Sequence, residues 1–200
     1  MKKLQVTSLD QMRTFAEALA GHLRAGDLLI LSGNLGAGKT TFTQSLGRAL
    51  GVTGRITSPT FVIAREHPSS GDGPALVHVD AYRLSDAEEL GDLDLDSELE
   101  ESITVVEWGA GLAEQLSSDY LGVTITPMFD LAADVADEAD AADADEDDED
   151  ERRLVELHGH GSTWDARLQQ VGDSLRALGG AVEISEFDGS DGSLDQEDNQ

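Results

Sequence analysis

The octapeptide GNLGAGKT, residues 33–40, constrains this chain more than any other stretch. It follows the short apolar run DLLILSG (27–33) and opens the amphipathic run KTTFTQSLGRAL (39–50). An apolar run of that length bounded by glycine suits a buried central strand. The run after it predicts a helix stopped at Gly51. Glycines at 33, 36 and 38 permit backbone angles that other residues resist. Successive N–H groups can then turn inward as an anion nest at the positive end of the following helix. The pattern G-x-x-x-x-G-K-[ST] between strand and helix is a phosphate-binding loop. Lys39 is placed to reach β- and γ-phosphates, the Thr40 hydroxyl to ligate Mg²⁺, and the Thr41 hydroxyl to touch the α-phosphate. Binding of ATP with Mg²⁺, and its hydrolysis, is the expectation. No N-K-x-D motif that would read guanine occurs.

The rest of the chain reads as an α/β domain with a mixed β-sheet flanked by helices. Residues 9–24 carry Met12, Phe15, Leu19 and Leu23 at helical spacing. Residues 56–66 look extended, 67–74 form a loop by their Gly, Pro and Ser content, and 75–84 lead as a strand into a turn. Short helices are predicted in 86–101 and 111–116, and strands at 103–109 and 121–127. Residues 152–161 resume a strand pattern and 163–178 are helical. The strands at 121–127 and 152–161 suggest a hairpin whose tip has been expanded. The expected organisation is one domain over 1–178, interrupted by an acidic disordered insert at 130–151 and followed by an acidic disordered tail at 179–200.

Charge and composition narrow the function classes. The formal net charge is −28, from 41 acidic and 13 basic residues. Residues 1–129 hold 18 acids and 9 bases, whereas 130–151 hold 13 acids and no base. Such an excess repels nucleic-acid phosphates, so direct binding of tRNA or DNA by this chain alone is not expected. The absence of cysteine removes disulfides, thiolate metal sites and thiol catalysis. No apolar run of signal-peptide or membrane-spanning length is present, and a soluble cytoplasmic protein without membrane contact is the default expectation.

Carboxylates at strand ends are the natural partners of such a loop. Glu107 closes the β-branched run ITVVE and can hold Mg²⁺. Asp80 in HVDAYR (78–83) can orient the attacking water or hold a metal-bound water, or can simply form the turn that follows. His78 can pair with it, although a strand histidine is more often structural. Arg83 can neutralise phosphate or pair with an acid such as Asp86, and Trp108 reads as a packing residue. Thr60 in SPTF (58–61) can sense the γ-phosphate through Mg²⁺ as switch segments do, or can be part of a turn entering a strand. His158 and His160 lack a third ligand nearby and read as a solvated loop.

GNLGAGKTTF, SPTF, HVDAYRL with EEL soon after, and VVEWG, in that order and spacing, resemble the TsaE family, the ATPases of bacterial tRNA threonylcarbamoyladenosine biosynthesis. The resemblance covers residues 5–128 and extends more loosely to 152–168. It implies Thr40 and Glu107 as Mg²⁺ ligands and a phosphate grip from Leu35, Gly36, Ala37, Gly38, Lys39, Thr40 and Thr41, with Gly33 opening the loop. It sets Asp80 and Thr60 on positions linked to hydrolysis or nucleotide sensing. It implies docking on a TsaB–TsaD heterodimer, in which TsaD modifies adenosine 37 of tRNAs reading codons that start with A, while ATP hydrolysis resets the complex. Arg152 or Arg153 matches a family strand arginine. The acidic insert and the tail are departures from the family pattern.

Two other classes fit the loop alone. A small-molecule kinase of this type usually carries an arginine-bearing lid, yet residues 84–101 and 111–151 contain no lysine or arginine. A nucleotide-gated binding module with negligible catalysis would bind Mg·ATP but tolerate loss of Asp80. Residues 7–14 are candidates for contact with the adenine.

Overall fold

The computed structural model describes residues 1–57, 64–84, 86–91, 93, 96–133, 151–177 and 183–186. The described residues form strands β1 (Lys2–Val6), β2 (Leu28–Ser32), β3 (Ala64–His67), β4 (Ala75–Asp80), β5 (Ser102–Glu107), β6 (Tyr120–Pro127), β7 (Arg153–His160) and β8 (Glu183–Glu186). Helices α1 (Leu9–Ala20), α2 (Lys39–Ala49), α3 (Ala87–Gly91), α4 (Asp96–Glu101), α5 (Met128–Ala133) and α6 (Trp164–Ala177) connect them. The strands lie in one mixed sheet in the order β3-β4-β5-β2-β6-β7-β1-β8. β4, β5, β2 and β6 run parallel, and antiparallel pairings complete the sheet on both sides.

Helices cover both faces of the parallel centre, which is why β2 is apolar from Leu28 to Leu31. Leu29 and Leu31 pack with Phe15, Phe42, Leu46 and Trp164 on the face covered by α1, α2 and α6. Leu28 and Ile30 pack with Val77, Val79, Leu90 and Leu99 on the other. α1 starts where Ser8 caps it, its hydroxyl accepting from the Gln11 N–H at 3.2 Å. The Gln11 side chain reaches back to accept from the Thr7 N–H at 2.6 Å, so the first turn is satisfied from both sides.

Asp27, just before β2, ties the outer helices to the sheet. Its carboxylate takes both Arg167 Nη atoms, while Arg167 also donates to the His22 carbonyl at 2.6 Å and lies 4.0 Å over the Trp164 ring. Asp27 is only 5% exposed, so removing it leaves a guanidinium with little water to replace the partner. Asp27→Ala is expected to destabilise the fold by about 3 kcal/mol, read as a lower urea midpoint at unchanged slope.

The structure departs from the sequence expectations at both acidic stretches. The stretch 130–151 was expected to lack order from its first residue, yet α5 carries helix through Ala133, and the Met128 N–H donates to the Arg152 carbonyl at 3.0 Å to close the hairpin base. Within the expected disordered tail, 179–200, residues Glu183–Glu186 pair antiparallel with β1. Composition averaged over a window hides four residues whose backbone pairs with an otherwise open sheet edge. β1 itself was missed for the same reason: five residues beside a basic start give little periodicity. The extended reading of 56–66 is met at Ala64–His67, whereas residues 58–63 lie outside the described residues. The hairpin expected from 121–127 and 152–161 is present as eight paired positions of β6 and β7.

Candidate functional site

The loop between β2 and α2 sits at the C-terminal edge of the parallel strands, where α/β sheets present their ligands. Gly33, Gly36 and Gly38 have φ of 139°, 81° and 110°, all in the region that disfavours side chains. A Cβ at Gly36 or Gly38 would meet no atom within 4 Å. At those two positions glycine answers to backbone conformation, and the space beside the loop stays open for an anion. Gly38 caps α2 without any side-chain bond, so the first N–H groups of the helix face that space.

Lys39 begins α2 and folds back over the loop. Its Nζ donates to the Gly33 carbonyl at 2.7 Å and the Asn34 carbonyl at 2.9 Å, and lies 3.6 Å from the centre of the Trp108 ring. Burial lowers its pKa, while the charges of Glu107 and Asp80 act in the opposite direction. Trp108, expected to be a packing residue, is half-buried and belongs to the loop mouth. Its φ of 62° is unusual for an aromatic residue, and its ring tilts against Tyr82 at 5.1 Å. Neither contact was legible in the sequence, because the one with Lys39 comes from the parallel pairing of β2 with β5 and the one with Tyr82 from that of β4 with β5.

The pairing of β4 with β5 also brings the candidate acids together. Glu107 is 2% exposed, and its Oε2 accepts from the Thr40 hydroxyl at 2.9 Å. Asp80 stands beside it in the register of β4 and β5. Asp80 Oδ1 accepts from the Tyr82 N–H at 3.0 Å, so the turn-forming role read from the sequence is realised alongside its place at the site. Thr40 and Glu107 form a hard oxygen pair suited to Mg²⁺, which takes one or two protein oxygens and completes its shell with phosphate and water. Among the described residues no group of three or more His, Cys, Asp or Glu side chains is arranged to hold a metal without such help. Thr60 lies outside the described residues.

A cleft of about 220 Å³ adjoins the loop, lined by Val6, Ser8, Met12, Gly36, Thr41 and Arg153 among others. It has the place expected for the base and ribose end of a nucleotide, and it draws on the segment 7–14 singled out from the sequence. Arg153 Nε donates to the Ala37 carbonyl at 3.1 Å, so of the two candidate arginines it is Arg153 that braces the phosphate loop. Asn34 donates to Asp130 Oδ2 at 3.0 Å, a contact across the loop that sequence spacing gave no hint of. A larger cavity of about 410 Å³ lies along the later half of α2, lined by Gln44, Arg48, Arg55 and Ile56. Neither the loop glycines nor Glu107 lines it, and it is a separate feature. His158 and His160, expected in a loop, are outward positions of β7, and His160 stacks on Tyr120 at 4.2 Å.

The family model described as Threonylcarbamoyl adenosine biosynthesis protein TsaE matches residues 6–131. This chain belongs to the TsaE family. The TsaE of Streptomyces coelicolor is 63% identical over 115 residues, 57% of this chain and 78% of that protein. The TsaE of Bacillus subtilis is 38% identical over 124 residues, 62% of this chain and 76% of that protein. Both carry the name tRNA threonylcarbamoyladenosine biosynthesis protein TsaE. The crystal structure of Bacillus subtilis YdiB superposes with a TM-score of 0.62 at 24% identity, covering 86% of this chain and 95% of that one, and shows the same fold. The TsaE match takes in the phosphate loop, Asp80 and Glu107, and ends at residue 131, at the start of the acidic stretch. Among the described residues no helix is long and apolar enough to cross a membrane.

Proposed function

We propose that this chain is the ATP-hydrolysing subunit that supports threonylcarbamoylation of adenosine 37 in tRNAs reading A-starting codons, acting in the cytoplasm with TsaD and TsaB partners. One observation carries the reading: the phosphate loop, the Lys39 ammonium and the Thr40–Glu107 pair converge on one open space at the strand ends. Residues 1–178 act as the working unit, with Leu35 to Thr41 gripping the triphosphate. Lys39 leaves the Gly33 and Asn34 carbonyls for the β- and γ-phosphate oxygens, and the loop amides hold the remaining charge. Thr40 and Glu107 hold Mg²⁺, which when bound neutralises charge building between the β- and γ-phosphates. Asp80 orients a water in line with the γ-phosphate, and Thr60 senses that phosphate. Arg153 is committed to the Ala37 carbonyl, so hydrolysis by the isolated chain is slow and partners accelerate it.

The test is depletion of the protein with tRNA nucleosides followed by mass spectrometry. The modified adenosine should disappear, return with the wild-type gene, and stay absent with Lys39→Ala. Phosphate release by the purified chain should need Mg²⁺ and rise when the TsaB–TsaD pair is added. Undiminished modification after depletion, or a rate insensitive to the partners, would count against the proposal.

A further inference from the structure

His78 lies on β4 two residues before Asp80, so its side chain shares the sheet face of Asp80 and of Glu107 opposite. The imidazole is 1% exposed, and its Nε2 stands 2.8 Å from Glu107 Oε1. The two carboxylate oxygens therefore have separate partners, His78 on Oε1 and the Thr40 hydroxyl on Oε2 at 2.9 Å. Thr43 Oγ1 is also within 3.4 Å of Oε1, but a hydroxyl carries one hydrogen, and the Lys39 carbonyl at 3.0 Å is the closer acceptor for it. Among the described residues His78 is thus the short donor to Oε1. Glu107 is too enclosed for solvent to take over that bond.

We propose that His78 is a positioning residue for Glu107: its Nε2–H fixes Oε1 and so turns Oε2 toward the Thr40 hydroxyl, where the cation that accompanies the nucleotide is held. Partners that orient a ligating carboxylate govern metal affinity almost as strongly as the ligands. The inference rests on reading residues 33–41 and Glu107 as a Mg·nucleotide site. It separates from the plainer role of a hydrogen-bonded core histidine, which would affect folding and leave cation affinity in step with nucleotide affinity.

The experiment titrates Mn²⁺ into the full chain saturated with ADP, followed by electron paramagnetic resonance, and in parallel measures ADP binding in EDTA. His78→Leu keeps the volume and removes the donor. It should weaken Mn²⁺ binding by about 10–100-fold and leave metal-free ADP binding unchanged. His78→Gln places an amide N–H near the lost Nε2 and should restore most of the Mn²⁺ affinity. Wild-type Mn²⁺ affinity in His78→Leu overturns the inference, as does equal loss of Mn²⁺ and metal-free ADP binding in both variants. A wild-type chain whose ADP binding ignores Mn²⁺ overturns the site reading itself, a different result. If His78→Leu does not fold, His78→Gln decides: near-normal Mn²⁺ affinity supports the role, and loss in a natively folded protein overturns it.

Discussion

Lys39→Ala is expected to lower ATP turnover by about 10²–10³-fold, the cost of removing one aimed charge from a developing transition state. The ammonium is already held at the loop, within 2.9 Å of two of its carbonyls and against the Trp108 ring. Little reorganisation is needed when a triphosphate replaces those carbonyls. Burial lowers the pKa of the ammonium, so the enclosed site disfavours the charged form relative to water. The loss should therefore fall on phosphate release, with circular dichroism and the thermal transition kept. A variant that unfolds instead, or turns over like wild type, would show that the ammonium braces the loop and does not act on phosphate.

Gly33→Ala should destabilise the fold by about 3 kcal/mol, the upper range for a steric clash combined with a disfavoured backbone. A Cβ there would stand 2.2 Å from the Ile125 carbonyl oxygen, at φ 139°. That oxygen belongs to β6, which is paired on both sides and cannot retreat. Gly36→Ala is the control. Its φ of 81° carries a backbone cost of about 1 kcal/mol, and no atom lies within 4 Å of the new methyl group. Urea unfolding without nucleotide should show a large loss for the first and a small one for the second. Both should bind nucleotide poorly. Equal midpoints for the two variants would mean that the loop shifts away from β6 at no cost.

What could be read in advance follows from how local each signal is. The phosphate loop announces itself because glycine conformation, the lysine and the flanking strand and helix are all contiguous in sequence. Glu107 was legible as an acid ending an apolar strand, and Asp80 as a strand-end carboxylate. Their adjacency needed the β4–β5–β2 order, which no local pattern encodes. Trp108 packs against Tyr82, as its aromatic character suggests, but only the loop geometry turns its ring toward Lys39. β1 and β8 are not legible because short strands near a sheet edge owe their existence to a neighbour more than to their own periodicity. Spacing does not separate Arg152 from Arg153, because the bond from Arg153 to the Ala37 carbonyl depends on how β7 is registered against β6.

That register has a bearing on how such a chain can vary. Tyr120 through Pro127 pair one-for-one with His160 through Arg153, and the last of these pairs sets the arginine against the Ala37 carbonyl. One residue added inside the ladder would turn every later side chain of β7 to the opposite face and carry Arg153 away from the loop. Residues added between Ala133 and Glu151 lie past the last rung and change no pairing. Sequence grafted there leaves the ladder untouched, so length and charge can drift, or a reporter be spliced in, while Arg153 keeps its place against the phosphate loop.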